Sequence, residues 1–212
     1  MRAIVLFFIA VILFFSIIFH EVAHGIVAER HGDSTARIMG RITLNPLPHI
    51  DFMGTIILPG IMIIMNLFGV SVPIFGWAKP VPVNPQNLNN PKKDMIWVAL
   101  AGPATNFLIA FFLAIIYRLF GIPGSLAGVI LFYGTTINLF LAFFNLIPIP
   151  PLDGSRILSG VLPENLSFRM SQIEPFGFII IIVLLMGGLL NYLFYALIKL
   201  SAILTGAPFL FW

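Results

Sequence analysis

Residues 3–24 read AIVLFFIAVILFFSIIFHEVAH, and the reading of this stretch decides the fold. A helix needs about 20 apolar residues to span a bilayer. The uncharged run 3–19 reaches that length only by continuing through His20, Glu21 and His24 to about Val27. Three ionisable side chains therefore belong to a membrane helix, where such groups are expensive and by default mark function. Residues four apart share a helix face, so the imidazoles of His20 and His24 can reach one ion, with Glu21 one step round the helix.

Working outward, the composition agrees. Apolar residues fill 59% of the 212 positions and charged residues 9%. A soluble domain carries about a quarter charged residues, so this is an integral membrane protein. The expected fold is all-α and polytopic, with about five transmembrane helices. Helices are expected over about 3–29, 95–118, 125–147 and 175–199. Residues 52–70 are expected to form a re-entrant segment or an additional membrane helix, and short extended or hairpin segments complete the chain. No stretch between the helices reaches the ~50 residues of an ordinary soluble domain, so 1–212 is expected to form one membrane-embedded domain. The net charge of +3 is better explained by membrane orientation than by nucleic acid, and no nucleic-acid partner is expected. Arg2 followed by Ala3–Phe19 also has the outline of a signal peptide, but cleavage would fall at or before the charged motif. The absence of cysteine removes disulfides, thiolate ligands and a cysteine nucleophile.

H-E-x-x-H on a helix is the pattern in which two histidines bind zinc and the glutamate serves as general base. A catalytic zinc has three protein ligands and an open position, so a third ligand must come from elsewhere. His31 follows His24 by seven residues, before Gly32-Asp33-Ser34 closes the helix, and is expected to lie exposed beyond the membrane. His49, after Pro48 in a loop, reads as solvated or interfacial. Asp153 stands in Asn145-Leu-Ile-Pro-Ile-Pro-Pro-Leu-Asp-Gly154, where three prolines break the helix as it leaves an apolar run. Asp-Gly is also a plain turn at a helix end. Beside an intramembrane H-E-x-x-H, the ligand reading is the stronger.

With these two segments in view, the chain resembles the site-2 protease family of intramembrane zinc metalloproteases. That family pairs an H-E-x-x-H helix with a later N-x-x-P-x-x-x-x-D-G segment. His20, Glu21 and His24 match the first motif; Asn145, Pro148, Asp153 and Gly154 match the second. Gly76-Trp-Ala-Lys-Pro-Val-Pro-Val-Asn84 and Ala101-Gly-Pro-Ala-Thr-Asn106 also look like segments of its short prokaryotic members, and nothing here resembles a PDZ or CBS module. The resemblance implies one Zn2+ per chain held by His20, His24 and Asp153, with Glu21 as the proton carrier. It places Asn145 beside the site, where its amide would donate to a substrate carbonyl or oxyanion. Asn106, in a run of small residues, reads as helix packing and stays outside the catalytic list. The implied substrate is a membrane protein, single-span and already trimmed, cut within its transmembrane segment in the membrane of a prokaryotic cell. Residues Ile38–Leu44 and Trp77–Val83 are expected to be extended, and one of them is expected to present the unwound substrate by strand addition. Oligomeric state is not legible.

Topology follows from parity. The motif lies late in the first helix, and Asp153 lies just past the helix ending near Leu146. They meet at one depth only if both helices run in the same direction. Helix one crosses from side A to side B, 95–118 returns, and 125–147 crosses again. Residues 52–70 must then dip and return, with Pro59-Gly60 as a natural break. In that arrangement side B carries Arg30, Arg37, Arg41, Lys79, Lys92, Lys93, Arg156 and Arg169. Side A carries Arg2, Arg118 and Lys199, so the ratio is eight to three. The positive-inside rule makes side B cytoplasmic, with the active site opening toward it.

Two rival readings use the same motif. A membrane zinc transporter would need further polar ligands on neighbouring helices, and no second membrane histidine pair exists. A membrane zinc protease of the prenyl-protein type would take a glutamate as third ligand; Glu164 and Glu174 lack the helical context for it.

Overall fold

The computed structural model describes residues 2–70, 72 and 76–207. Its helices are α1 (Arg2–Arg30), α2 (Thr35–Ile38), α3 (Leu58–Leu67), α4 (Pro91–Phe120), α5 (Leu126–Asn145), α6 (Asp153–Val161), α7 (Glu164–Ser171), α8 (Glu174–Met186) and α9 (Leu189–Thr205). No strand occurs among the described residues, so the expected extended segments do not become a ladder. Ile38 closes α2, and the chain turns at Gly40, whose φ is +64°. Pro80 and Pro82 deny Trp77–Val83 two of the N–H groups that a ladder needs.

Four stretches are long and apolar enough to cross a bilayer: Ile4–Arg30, Pro91–Phe120, Leu126–Asn145 and Glu164–Met186. Two apolar helices are shorter, Phe52–Leu67 and Leu190–Thr205. The interior is built from small residues that let helices approach closely: Ala110, Ala142 and Ala28 are fully buried, with Gly102 and Ala114 close to it. Large side chains such as Phe7, Phe111, Phe112 and Leu119 face outward. This inside-out distribution suits helices whose solvent is lipid.

Contacts fix the helix directions. Asn106 of α4 bonds to Ser16 of α1, and Val98 bonds to His24. The pairing 106 with 16 and 98 with 24 runs the two helices antiparallel. Asn106 also bonds to Asn138 of α5, and a Cβ on Gly134 would meet Leu113 and Ile12, so α5 runs back alongside α1. Arg118, at the end of α4, donates to the carbonyls of Leu204 (2.5 Å) and Ile203 (2.7 Å) at the end of α9. That caps carbonyls which have no intrahelical partner.

The expected helix over 175–199 is broken in two. Gly187 ends α8, and Gly188 takes φ +75° before α9 begins, a left-handed conformation that glycine adopts at no steric cost. Residues 52–67 differ from expectation in detail. Pro59-Gly60 does not break them. Asp51 accepts the Gly54 N–H (2.7 Å), a π-helical turn runs Phe52–Ile57, and α3 continues to Leu67. The return comes later: Trp77 N–H reaches the Gly54 carbonyl at 3.1 Å. The chain thus leaves along α3 and comes back to where it left. No residue of α3 is buried.

Candidate active site

Three elements converge at the end of the bundle where α1 finishes. α1 supplies His20 and His24 on one face, α6 supplies Asp153 in its first turn, and α4 backs them. The three side chains are buried. Nε2 of His20 lies 3.1 Å and Nε2 of His24 lies 3.3 Å from Asp153 Oδ2, and the two Nε2 atoms are 3.0 Å apart.

The outer nitrogens determine the tautomers. His24 Nδ1 lies 2.6 Å from the Val98 carbonyl oxygen, which can only accept, so this nitrogen donates. His20 Nδ1 lies 2.6 Å from Asn106 Oδ1. The Asn106 amide nitrogen is itself committed as a donor to Asn138 Oδ1 at 3.0 Å and Ser16 O at 3.3 Å. In the neutral rings, both Nε2 lone pairs then face Asp153 Oδ2, a buried oxygen that no protein donor serves. Three lone-pair atoms facing one another repel unless a cation joins them. Tetrahedral ligands at ~2.0–2.2 Å from zinc stand about 3.3–3.6 Å apart, a few tenths of an ångström wider than the 3.0–3.3 Å found here. The donor set of two imidazoles and a carboxylate thus fits zinc in both chemistry and spacing. It is also a metal-competent group of three among the described residues.

The local sequence explains how α4 comes so near. A Cβ on Gly102 would sit 2.5 Å from His20 Cε1 and Nε2 and from His24 Nε2, so any side chain there would take the space of the rings. Pro103 follows it inside the helix. Asp153 opens α6 directly after the proline-rich turn, and Gly154 packs against the Leu146 and Ile147 carbonyls.

The remaining candidates fall as follows. Glu21 Oε2 accepts the Val81 N–H at 2.8 Å, so Glu21 is held by a residue sixty positions away. Asn145 donates to the Leu141 carbonyl of its own helix at 2.9 Å and is not among the converging atoms. His31 is half-buried rather than exposed, with Nδ1 3.1 Å from Asp94 Oδ1. His49 is fully buried rather than solvated, with Nε2 2.9 Å from the Thr43 carbonyl oxygen, and it is not part of the three-residue cluster. Sequence reasoning set Asn106 aside as packing and did not consider Asn138. The available signal was that each is an amide inside an apolar span, where an unpaired polar group is expensive.

A membrane bundle with a buried two-histidine, one-carboxylate cluster, backed by an adjacent glutamate, defines the class of intramembrane peptidases. Comparison with known proteins agrees. The chain matches the model of peptidase family M50 over residues 8–126 and 124–188, and it belongs to that family. A Bacillus subtilis (strain 168) protein named "Putative zinc metalloprotease YwhC" is 36% identical over 200 residues, covering 91% of this chain and 86% of the relative. A Mycolicibacterium smegmatis protein named "Putative zinc metalloprotease Rip2" is 33% identical over 187 residues, covering 86% and 68%. No solved structure matches the chain.

Proposed function

We propose that this multi-pass membrane protein is a zinc-dependent endopeptidase that hydrolyses peptide bonds within the transmembrane segments of membrane proteins. The observation that carries this reading is the convergence of His20 Nε2, His24 Nε2 and Asp153 Oδ2 within 3.0–3.3 Å, with no protein donor on the carboxylate oxygen. Zinc held by these three side chains supplies a Lewis acid that activates water and polarises a peptide carbonyl.

The chain's own residues do the rest. Asn106 and Val98 hold the two rings with Nε2 inward, an outer-shell restraint that fixes ligand orientation. Glu21 takes a proton from the attacking water and delivers it to the leaving nitrogen as the C–N bond breaks. Asn145 is assigned the substrate carbonyl. Its amide now bonds within its own helix and would turn to substrate, as its position eight residues before Asp153 suggests. Helices around the cluster exclude bulk water, so the substrate helix must unwind locally to enter. A single-span, pre-trimmed substrate fits this entry, because it brings neither a bulky outer portion nor further helices to the site.

The site faces the cytoplasm in this reading. The contact between His31 and Asp94, 3.1 Å apart, supports it: residues 31 and 94 lie side by side, as the parity argument requires. Phe52–Leu67 would be about 24 Å long, short of the ~30 Å hydrocarbon core, which supports a dip. A transporter would need successive binding sites along a path, and the described residues supply this one cluster.

The test is metal-dependent cleavage of a membrane-embedded peptide by the purified chain. Glu21→Gln should retain zinc and lose activity by a factor on the order of 10²–10⁴. Asp153→Ala should lose the metal. Full activity in Glu21→Gln would remove the proposed mechanism.

A further inference from the structure

Residues Trp77–Val81 form a strap against α1, and hydrogen bonds hold its backbone at 77, 79, 80 and 81. Trp77 N–H donates to Gly54 O (3.1 Å), and Trp77 O accepts from Thr55 Oγ1 (2.8 Å). Lys79 N–H donates to His49 O (2.9 Å), and Lys79 O accepts from Arg41 Nη2 (2.7 Å). Val81 N–H donates to Glu21 Oε2 (2.8 Å). The backbone at 77, 79 and 81 is thus committed to the protein. Pro80 and Pro82 fall at the intervening positions. Neither carries an N–H, and Arg41 Nη2 also donates to the Pro80 carbonyl, at 3.1 Å.

The strap is seated on α1 itself. Val81 is buried, and a Cβ on Gly25 would lie 3.0 Å from Val81 Cγ1. Gly25 stands four residues after Glu21, on the same helix face, so the bare face that admits the Val81 side chain also brings its N–H to the carboxylate. Among the described residues Glu21 Oε1 accepts no hydrogen bond.

We propose that Val81 is a positioning residue: its backbone N–H pins one oxygen of Glu21, so that the other is held in place to act on the attacking water. A free glutamate has three rotatable bonds. Pinning Oε2 removes most of that freedom and leaves Oε1 for the proton.

The inference rests on the reading of Glu21 as proton carrier, and the experiment separates the two. Val81→Pro deletes the N–H, and between Pro80 and Pro82 it keeps the segment extended. With the full chain in lipid vesicles and a membrane-embedded peptide substrate, Val81→Pro should keep its zinc and its KM. Its kcat should fall on the order of 10–100-fold, the scale of misplacing a catalytic group by ~1 Å. The conservative Val81→Ala, which keeps the N–H, restores kcat. An unchanged kcat, a higher kcat, or a raised KM at full kcat would each overturn the proposal; the last would make the strap a substrate-docking edge. Should Val81→Pro lose its metal, Arg41→Met becomes the readout. It releases the Lys79 and Pro80 carbonyls and should lower kcat alone, and no change there overturns the proposal. Glu21→Gln assayed beside them tells the failures apart. If it is active, the proton-carrier reading falls; if it is inactive while Val81→Pro is normal, only the role of Val81 falls.

Discussion

His20 and His24 are oriented by different kinds of partner, and the difference predicts how each would fail. His24 leans on a backbone carbonyl, Val98 O, which no substitution at position 98 removes. His20 leans on a side chain, Asn106, which is braced in turn by Asn138, itself tied to Gly134 O at 2.9 Å. Asn106→Leu preserves much of the volume but removes the acceptor, so zinc affinity should drop about 10–100-fold; chelator competition on the purified protein measures it. Unchanged affinity would show that packing alone holds the ring. The three converging side chains were legible in the sequence as a group, because their chemistry is encoded in spacing along one helix and in a distinctive proline-broken turn. The residues behind them were not legible in the same way. Asn106 lies 86 positions from His20, and a run of alanine, glycine and threonine around it reads as close packing, which it also is. His49 misled for the opposite reason: a loop histidine after proline reads as wet, but this loop folds over its own ring.

At the scale of elements, the corner after α1 is held by one carboxylate. Asp33 is fully buried. It accepts from the Thr35 hydroxyl, from Thr35 N–H (3.1 Å), from Asn84 N–H (2.7 Å) and from Asn87 Nδ2 (3.1 Å). It thereby joins α1, α2 and the chain leading into α4. Burial pushes its carboxyl up, but these hydrogen bonds outweigh it and hold the group below the usual carboxylate range. The sign follows from linkage. A depressed carboxyl contributes stability above its unfolded value of about 3.9 and loses it as pH falls through that value toward the folded one. Asp33→Asn should therefore unfold at a lower temperature than wild type near neutral pH, with the gap closing below about pH 4. Taking the difference between the two proteins removes the effect of metal loss in acid. A gap independent of pH would mean that the carboxylate charge is irrelevant. Helix existence was well marked by uncharged runs; helix continuity was not. Gly187-Gly188 lies within an uncharged run, and only the left-handed backbone of Gly188 marks the break. The segments around Ile38 and Trp77 looked extended from their composition, but the backbone partners that decide between strand and strap lie on α1 and in the 49–55 loop.

For the whole molecule, the parity argument becomes a labelling experiment. The chain has no cysteine, so single cysteines can be placed in an otherwise silent background. Asn45→Cys and Gln86→Cys, both at exposed positions, should be shielded from an impermeant thiol reagent in intact cells, and Pro123→Cys should be labelled. Asn45 and Gln86 on opposite faces would sink the re-entrant topology.

Arg118 bears on the same question from the far end of the bundle. Its guanidinium is occupied with the last carbonyls of α9, so it serves as a rivet between two helices rather than as a loose charge in a loop. In the proposed topology the bias is carried by the sum of the basic residues on each face, so one arginine on the far face does not reverse it. Setting it aside leaves two basic residues on that face against eight opposite. One arginine can thus staple the outer rim without arguing against the orientation of the chain that carries it.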